Sequence, residues 1–166
     1  MKEGYEDVQR SISDKIENTR MVTVVTFDNG VEKEHVMESQ QVKCGDIVKL
    51  KGTELVPVDM VLVMTSMFAD GNTCYIETAN LDGETNLKVR EAPKELLPHV
   101  KSGEVKAALF EGNMEYEAPN KNLNTFVGAM HLKNIPSIPL DARNVLLRGC
   151  LFSNTDWCVT PLYYVT

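Results

Sequence analysis

Long apolar runs are missing from this sequence. Its most apolar stretch, MVLVM at 60–64, is far shorter than the ~20 residues a membrane-spanning helix needs. The N-terminal MKEGYEDVQR is charged and lacks the apolar segment of a secretory signal. Basic charge is scarce: 17 Lys and Arg against 24 Asp and Glu leave a formal net charge of -7. Such a chain offers no basic face to nucleic acid, and none to an anionic membrane surface as a direct ligand. Cysteine supplies no framework. Cys44, Cys74, Cys150 and Cys158 form no Cys-x-x-Cys pair, and no two histidines sit at zinc spacing. Reduced, mostly buried thiols of a cytosolic protein are the expected state. Asn-x-Ser/Thr sites are absent, so nothing argues for secretion. No Gly-rich phosphate loop with its Lys, no evident cluster of carboxylates for Mg²⁺ and no Ser-His-Asp order stands out.

What remains is an ordinary soluble composition, 43% hydrophobic and 25% charged, in 166 residues. That suits one domain with a sizeable core. Residues 3–17 read as a charged helix, with Tyr5, Val8, Ile12 and Ile16 on one narrow apolar stripe that must dock somewhere. The period then changes to two. MVTVVTF (21–27) and VEKEHV (31–36) flank the turn DNG, and QQVKCGDIVKL reads as strand, turn at Gly45-Asp46, strand. MVLVMTS (60–66) is apolar on both faces and predicts a central, doubly covered strand. Residues 92–110 look partly helical, broken at Pro98 and Gly103, and predict an insertion beside the sheet. Strand signals resume in NMEYEA, NTFVGAMHL, NVLLRGCLF and DWCVTPLYYVT. No repeat or low-complexity tract interrupts the chain. The expected fold is mainly β, a sandwich or jelly roll with an N-terminal helical segment (1–20), a β-rich body (21–166) and a short helical insertion at 92–110. Both ends read as cut from a larger polypeptide.

The stretch CYIETANLDGETNLKVR (74–90) carries the chemistry. Two strand-like arms flank Asp82-Gly83, a hairpin-tip dipeptide. Glu84 comes next, a carboxylate able to orient and deprotonate a water for attack on carbon or phosphorus. Gly83 allows close backbone approach to a ligand, and Thr85 adds a hydroxyl. From these residues alone a plain turn remains open. A glycosidase-type Asp82/Glu84 dyad is poorly served by two neighbours on one turn, since that chemistry needs carboxyls across a cleft.

The longer string narrows the choice. CYIETANLDGETNLKVREA resembles the dephosphorylation segment of P4-type ATPases, the phospholipid flippases. VKCGDIVKL, ELVPVDMVLVMTS, YEAPNKNLNTFVGAM, LLRGCLFSNTDWCVT and the N-terminal KEGYEDVQRSISDKIENTR resemble further family segments, in order and at matching spacings. Ion-pumping P-type ATPases have Thr-Gly-Glu where this chain has Asp82-Gly83-Glu84. Val58, Tyr116 and Ser153 depart from the usual residues, and 92–110 is the least matched part.

The resemblance implies an actuator domain. Glu84 would position and activate the water that hydrolyses an aspartyl phosphate, with Gly83 and Thr85 shaping the phosphate pocket. Asp82 would brace the turn by an Asx-type bond to its own backbone, with help from Asn86. The phosphorylated-aspartate motif Asp-Lys-Thr-Gly-Thr is not in the chain. The isolated domain is therefore expected to be inactive and to hold no cofactor, with ATP and Mg²⁺ bound elsewhere in the parent pump. Implied partners are the phosphorylation and nucleotide-binding domains of the same polypeptide, a phospholipid at the parent's membrane helices and an accessory subunit of the parent. The implied location is the cytosolic face of a membrane, in a multi-pass protein. A non-catalytic β-rich module on the same scaffold and a stand-alone hydrolase stay open as alternatives.

Overall fold

A computed structural model describes residues 2–28, 31–100, 111–117, 125–162 and 164–165. The chain is mainly β. Helix α1 (Lys2–Asn18) leads into β1 (Met21–Asp28) and β2 (Val31–Glu38), then β3 (Ile47–Lys51), β4 (Glu54–Leu55), β5 (Met60–Val61), β6 (Met64–Thr65) and β7 (Thr73–Glu77). After α2 (Ala79–Asp82) come β8 (Lys88–Glu91), β9 (Gly112–Tyr116), β10 (Val127–Leu132) and β11 (Ile138–Asp141). β12 (Val145–Leu146), β13 (Leu151–Ser153), β14 (Trp157–Pro161) and β15 (Tyr164–Val165) complete the order.

Two sheets make the sandwich. One runs β2-β1-β3-β14-β6 and the other β4-β13-β7-β8. Alternation decides what lies between them. Val22, Val24, Val48, Leu50 and Cys158 from the first sheet meet Cys74, Ile76 and Phe152 from the second. Phe152 and Ile76 are fully buried, each contributing about 1.5–3 kcal/mol by removal from water. A second core forms on the β11-β10-β9-β15 sheet, where Met130, Leu132, Ile138 and Leu140 pack with Val61, Val63 and Met64.

The segment 60–65 lies between the two cores. Met60 and Leu62 belong to the first, Val61 and Val63 to the second, and every residue from Met60 to Thr65 is buried. The expected double cover is there. The expected continuous strand is not, because β5 pairs with β12 whereas β6 pairs with β14. Between them the backbone finds other partners. The Leu62 amide donates to the Asn144 carbonyl at 2.8 Å, and the Val63 carbonyl accepts from Asn72 Nδ2 at 2.8 Å. Asn72 Oδ1 also accepts from the Thr65 amide at 2.8 Å. Asn72 is buried at φ +57°, a conformation asparagine tolerates better than most residues.

Other expectations fare unevenly. β1 and β2 pair from Met21↔Glu38 to Asp28↔Val31, while Asn29 and Gly30 of the expected turn lie outside the described residues. QQVKC does not form a strand. Ser39–Gln41 make a 3-10 turn, and the ladder starts only at Ile47. In the insertion, Ala92, Leu96 and Val100 are buried, and a 3-10 turn spans Lys94–Leu96. Residues 101–110 lie outside the described part. The α1 stripe remains open, with Val8, Ile12 and Ile16 more than half exposed. The helix is held at its C-terminal end, where Ser39 Oγ donates to the Glu17 carbonyl at 2.7 Å and Arg148 pairs with Glu17 at 3.1 Å.

Candidate active site

The acidic stretch joins β7 to β8, which pair antiparallel from Thr73↔Glu91 to Ile76↔Lys88. It is a hairpin in topology, but Asp82-Gly83 is not its two-residue tip. Residues 78–87 make the connection, and α2 supplies one helical turn inside it. A type I′ tip needs φ > 0 at both central residues, and here only Gly83 has it, at +78°. Gly83 instead ends the turn in the left-handed conformation, its amide donating to the Ala79 carbonyl at 3.0 Å. A Cβ at Gly83 would meet nothing within 4 Å, so glycine serves the backbone angle rather than space.

Asp82 braces the backbone on its C-terminal side. Its Oδ1 accepts from the Glu84 amide at 2.9 Å, an Asx-type bond as expected. Thr78 donates its hydroxyl to the same carboxylate at 2.8 Å, and Lys88 Nζ lies 2.9 Å from Oδ2. Lys88 first, then the Glu84 amide and Thr78, hold the Asp82 carboxyl down to about 2. No hydrogen bond ties Asn86 to the turn among the described residues.

Glu84 projects from this brace with its side chain about half exposed (49%), its Oε2 2.8 Å from Lys88 Nζ. Thr85, Asn86 and Leu87 are exposed beside it. Behind the turn, Asn80 Nδ2 donates to the Gly149 carbonyl at 3.2 Å, and Leu81 packs close to Gly149. Gly149 is in turn bound to Val56, its amide 2.9 Å from that carbonyl. The displayed carboxylate therefore stands on a turn fixed from inside by Asp82 and from below by the 147–150 segment. Among the described residues, no three His, Cys, Asp or Glu side chains gather to hold a metal ion, and no helix is long and apolar enough to cross a membrane.

With this geometry in place, comparison with known proteins decides the family. The model of the P-type ATPase actuator domain matches residues 17–133. The chain belongs to the P-type ATPase actuator domains. It is 39% identical over 158 residues to Phospholipid-transporting ATPase IC of Homo sapiens, covering 95% of this chain and 12% of that protein. It is 34% identical over 164 residues to Phospholipid-transporting ATPase 1 of Arabidopsis thaliana, covering 99% of this chain and 13% of that one. Phospholipid-transporting ATPase DRS2 of Saccharomyces cerevisiae is 36% identical over 159 residues, 95% of this chain and 11% of the relative. The actuator chain thus spans about an eighth of the length of these relatives.

Two features of the actuator loop escape sequence reading. Lys88 reads only as part of a strand, although its i,i+4 spacing from Glu84 hints at an ion pair. Thr78 stands four residues before Asp82 in an unremarkable position, yet it donates to that carboxylate. The buried thiols need no catalytic role. Burial pushes Cys74 up to about 12 and raises Cys150 and Cys158 as well, which keeps all three protonated. Cys44 is the exposed one. Arg90 is itself buried, donating from Nε to the Val145 carbonyl at 3.0 Å. Of the departures from the family pattern, Val58 packs against the first core and the Tyr116 ring lies 6.1 Å from the Phe126 ring. Each has packing of its own.

Proposed function

We propose that this chain is the actuator of a phospholipid-translocating P4-type ATPase, and that its Asp82-Gly83-Glu84-Thr85 loop hydrolyses the pump's aspartyl phosphate. Residues 1–20 form its helical segment and 21–166 its β-rich body. The observation that carries the reading is Glu84 presented to solvent from a turn whose backbone Asp82 holds through a 2.9 Å hydrogen bond. The similarity to phospholipid-transporting ATPases over 95–99% of the chain supports the lipid class.

The parent's phosphorylation and nucleotide-binding domains supply the aspartate, ATP and Mg²⁺ in this reading. When the loop covers the phosphoaspartate, Glu84 orients a water and takes its proton as oxygen attacks phosphorus. The new O–P bond forms, the acyl O–P bond breaks, the aspartate leaves as carboxylate and inorganic phosphate is released. Gly83, with no side chain, lets the backbone approach the phosphoryl oxygens, and Thr85 offers its hydroxyl to them. Asp82 acts through the turn rather than on phosphorus, because its carboxylate is already taken up by the Glu84 amide, Thr78 and Lys88. Hydrolysis is coupled to lipid movement through membrane helices joined to the actuator, at the cytosolic face of the membrane. Contact with an accessory subunit falls mainly outside this domain.

The test is Glu84→Gln in the full-length protein. Phosphoenzyme should still form, and its decay should slow by about 10²–10⁴, the range for losing a general base. Decay at the wild-type rate would remove Glu84 from the mechanism and favour the non-catalytic module.

A further inference from the structure

We propose that Lys88 is a positioning residue of this loop, cancelling one of its two carboxylate charges so that Glu84 can be brought against an anionic phosphoryl group. The proposal rests on the hydrolytic reading above. From Thr78 to Leu87 the connection carries Asp82 and Glu84 and no cation. Lys88 Nζ sits between them, 2.9 Å from Asp82 Oδ2 and 2.8 Å from Glu84 Oε2. Its backbone is fixed at the start of β8, opposite Ile76 of the core, and its side chain is only 19% exposed. The other cation of this strand, Arg90, is turned inward to the Val145 carbonyl and leaves the loop's charge uncompensated.

Charge is the argument. A phosphoryl group bears two negative charges in its ionised state, and the loop must approach it closely for Glu84 to hold a water there. With Lys88 the loop brings one net negative charge, and without it two. The ammonium also has three donors. Two of them face the carboxylates and tie both to one cation. Glu84 and Asp82 both hold the Lys88 proton more firmly, so the cation persists throughout the neutral range. Lys88 therefore does no chemistry on the substrate bond. It sets the field in which Glu84 works and keeps the two carboxylates from splaying.

A charge role and a merely structural role separate in the full-length protein. The readout is decay of labelled phosphoenzyme in Lys88→Met, Lys88→Arg and the double variant Lys88→Met/Asp82→Asn. The amide in the double variant keeps an oxygen to accept from the Glu84 backbone and restores the loop to one net negative charge. Lys88→Met should slow decay by about five- to tenfold, the effect of one extra charge a few ångströms away at a solvated site. Lys88→Arg should stay near wild type, and Lys88→Met should slow decay less in the Asp82→Asn background, compared with Asp82→Asn alone, than it does in the wild-type background. Raising salt from about 0.1 M to about 1 M, which cuts the screening length from about 10 Å to about 3 Å, should shrink the defect. Wild-type decay of Lys88→Met would overturn the proposal. So would a defect that neither salt nor Asp82→Asn relieves, since that is the mark of a structural strut. If Glu84→Gln traps phosphoenzyme while Lys88→Met does not slow decay, this proposal alone fails. If Glu84→Gln decays normally, the hydrolytic reading fails and this one with it.

Discussion

Asp82 takes hydrogen bonds from Lys88, from the Glu84 amide and from Thr78, and these hold its carboxyl at about 2 against an ordinary 3.8. A carboxyl depressed in the folded state contributes stability that is complete above its unfolded value and lost as pH falls through its folded one. The contribution of Asp82, lessened by solvent screening at this exposed site, is therefore largest above about pH 4 and is lost as pH falls through about 2. Asp82→Asn should be less stable than wild type at neutral pH, and the gap should close across that acid window. Urea midpoints of the two chains measured at steps of pH check this. A gap that stays constant down to about pH 2 would mean that Asp82 braces the turn without its charge. At this scale the sequence is informative. Glu84, Gly83 and the Asx role of Asp82 are legible from residue type and order, because each depends on atoms within two residues. The part played by Lys88 is not, because a lysine in a strand pattern does not reveal which way its ammonium folds back.

Among the elements, the connection at 78–87 and the segment at 60–65 show where local pattern misleads. Asp-Gly between strand-like arms has two outcomes, a two-residue tip or the end of a helical turn. Here Asn80 and Leu81 settle on Gly149, and that distant support favours the turn. In 60–65 the apolar pattern correctly marks both faces as buried, yet a side chain rather than a neighbouring strand completes the hydrogen bonding. Asn72 satisfies both the Val63 carbonyl and the Thr65 amide from a buried position. Asn72→Ala would leave two buried backbone groups unpaired and place alanine at φ +57°. A loss of about 2–4 kcal/mol is expected, from about 1–3 kcal/mol per orphaned group with partial relief by relaxation. Chemical denaturation measures it. A loss under about 0.5 kcal/mol would show that water or a backbone shift replaces the amide.

Among the described residues, the two larger cores share one buried segment and a smaller one gathers Val25, Ile47 and Val159, while the acidic loop joins β7 to β8 of the second sandwich sheet. That placement suits a domain that delivers half of a site to another. The sequence holds neither a phosphorylatable Asp-Lys-Thr-Gly-Thr nor a Gly-rich phosphate loop with its Lys. The purified 166-residue chain should therefore fold, melt cooperatively and show no ATP turnover. Hydrolysis that co-purifies with the folded chain and disappears in Glu84→Gln would overturn the reading of a delivered half-site. The open stripe of Val8, Ile12 and Ile16 belongs to this scale too, since nothing among the described residues covers it.

Residue pattern marked the mainly β class and the burial of 60–65 on both faces, and resemblance along the chain pointed to the P-type ATPase actuators. The class and the burial come from residue type, short-range order and a period of two, all of which survive without knowledge of contacts, whereas the family rests on resemblance. Contacts between distant parts of the chain break the 60–65 strand between β12 and β14 and put α2 in the hairpin connection, and a folded-back side chain joins Lys88 to Asp82 and Glu84. Each of those depends on a partner that chain order does not name: the Asn144 carbonyl, the Gly149 carbonyl, or a carboxylate reached by a long flexible side chain. Burial can be written locally in an alternating pattern. The choice of hydrogen-bond and ion-pair partners is made when the folded chain brings distant groups within about 3 Å of one another.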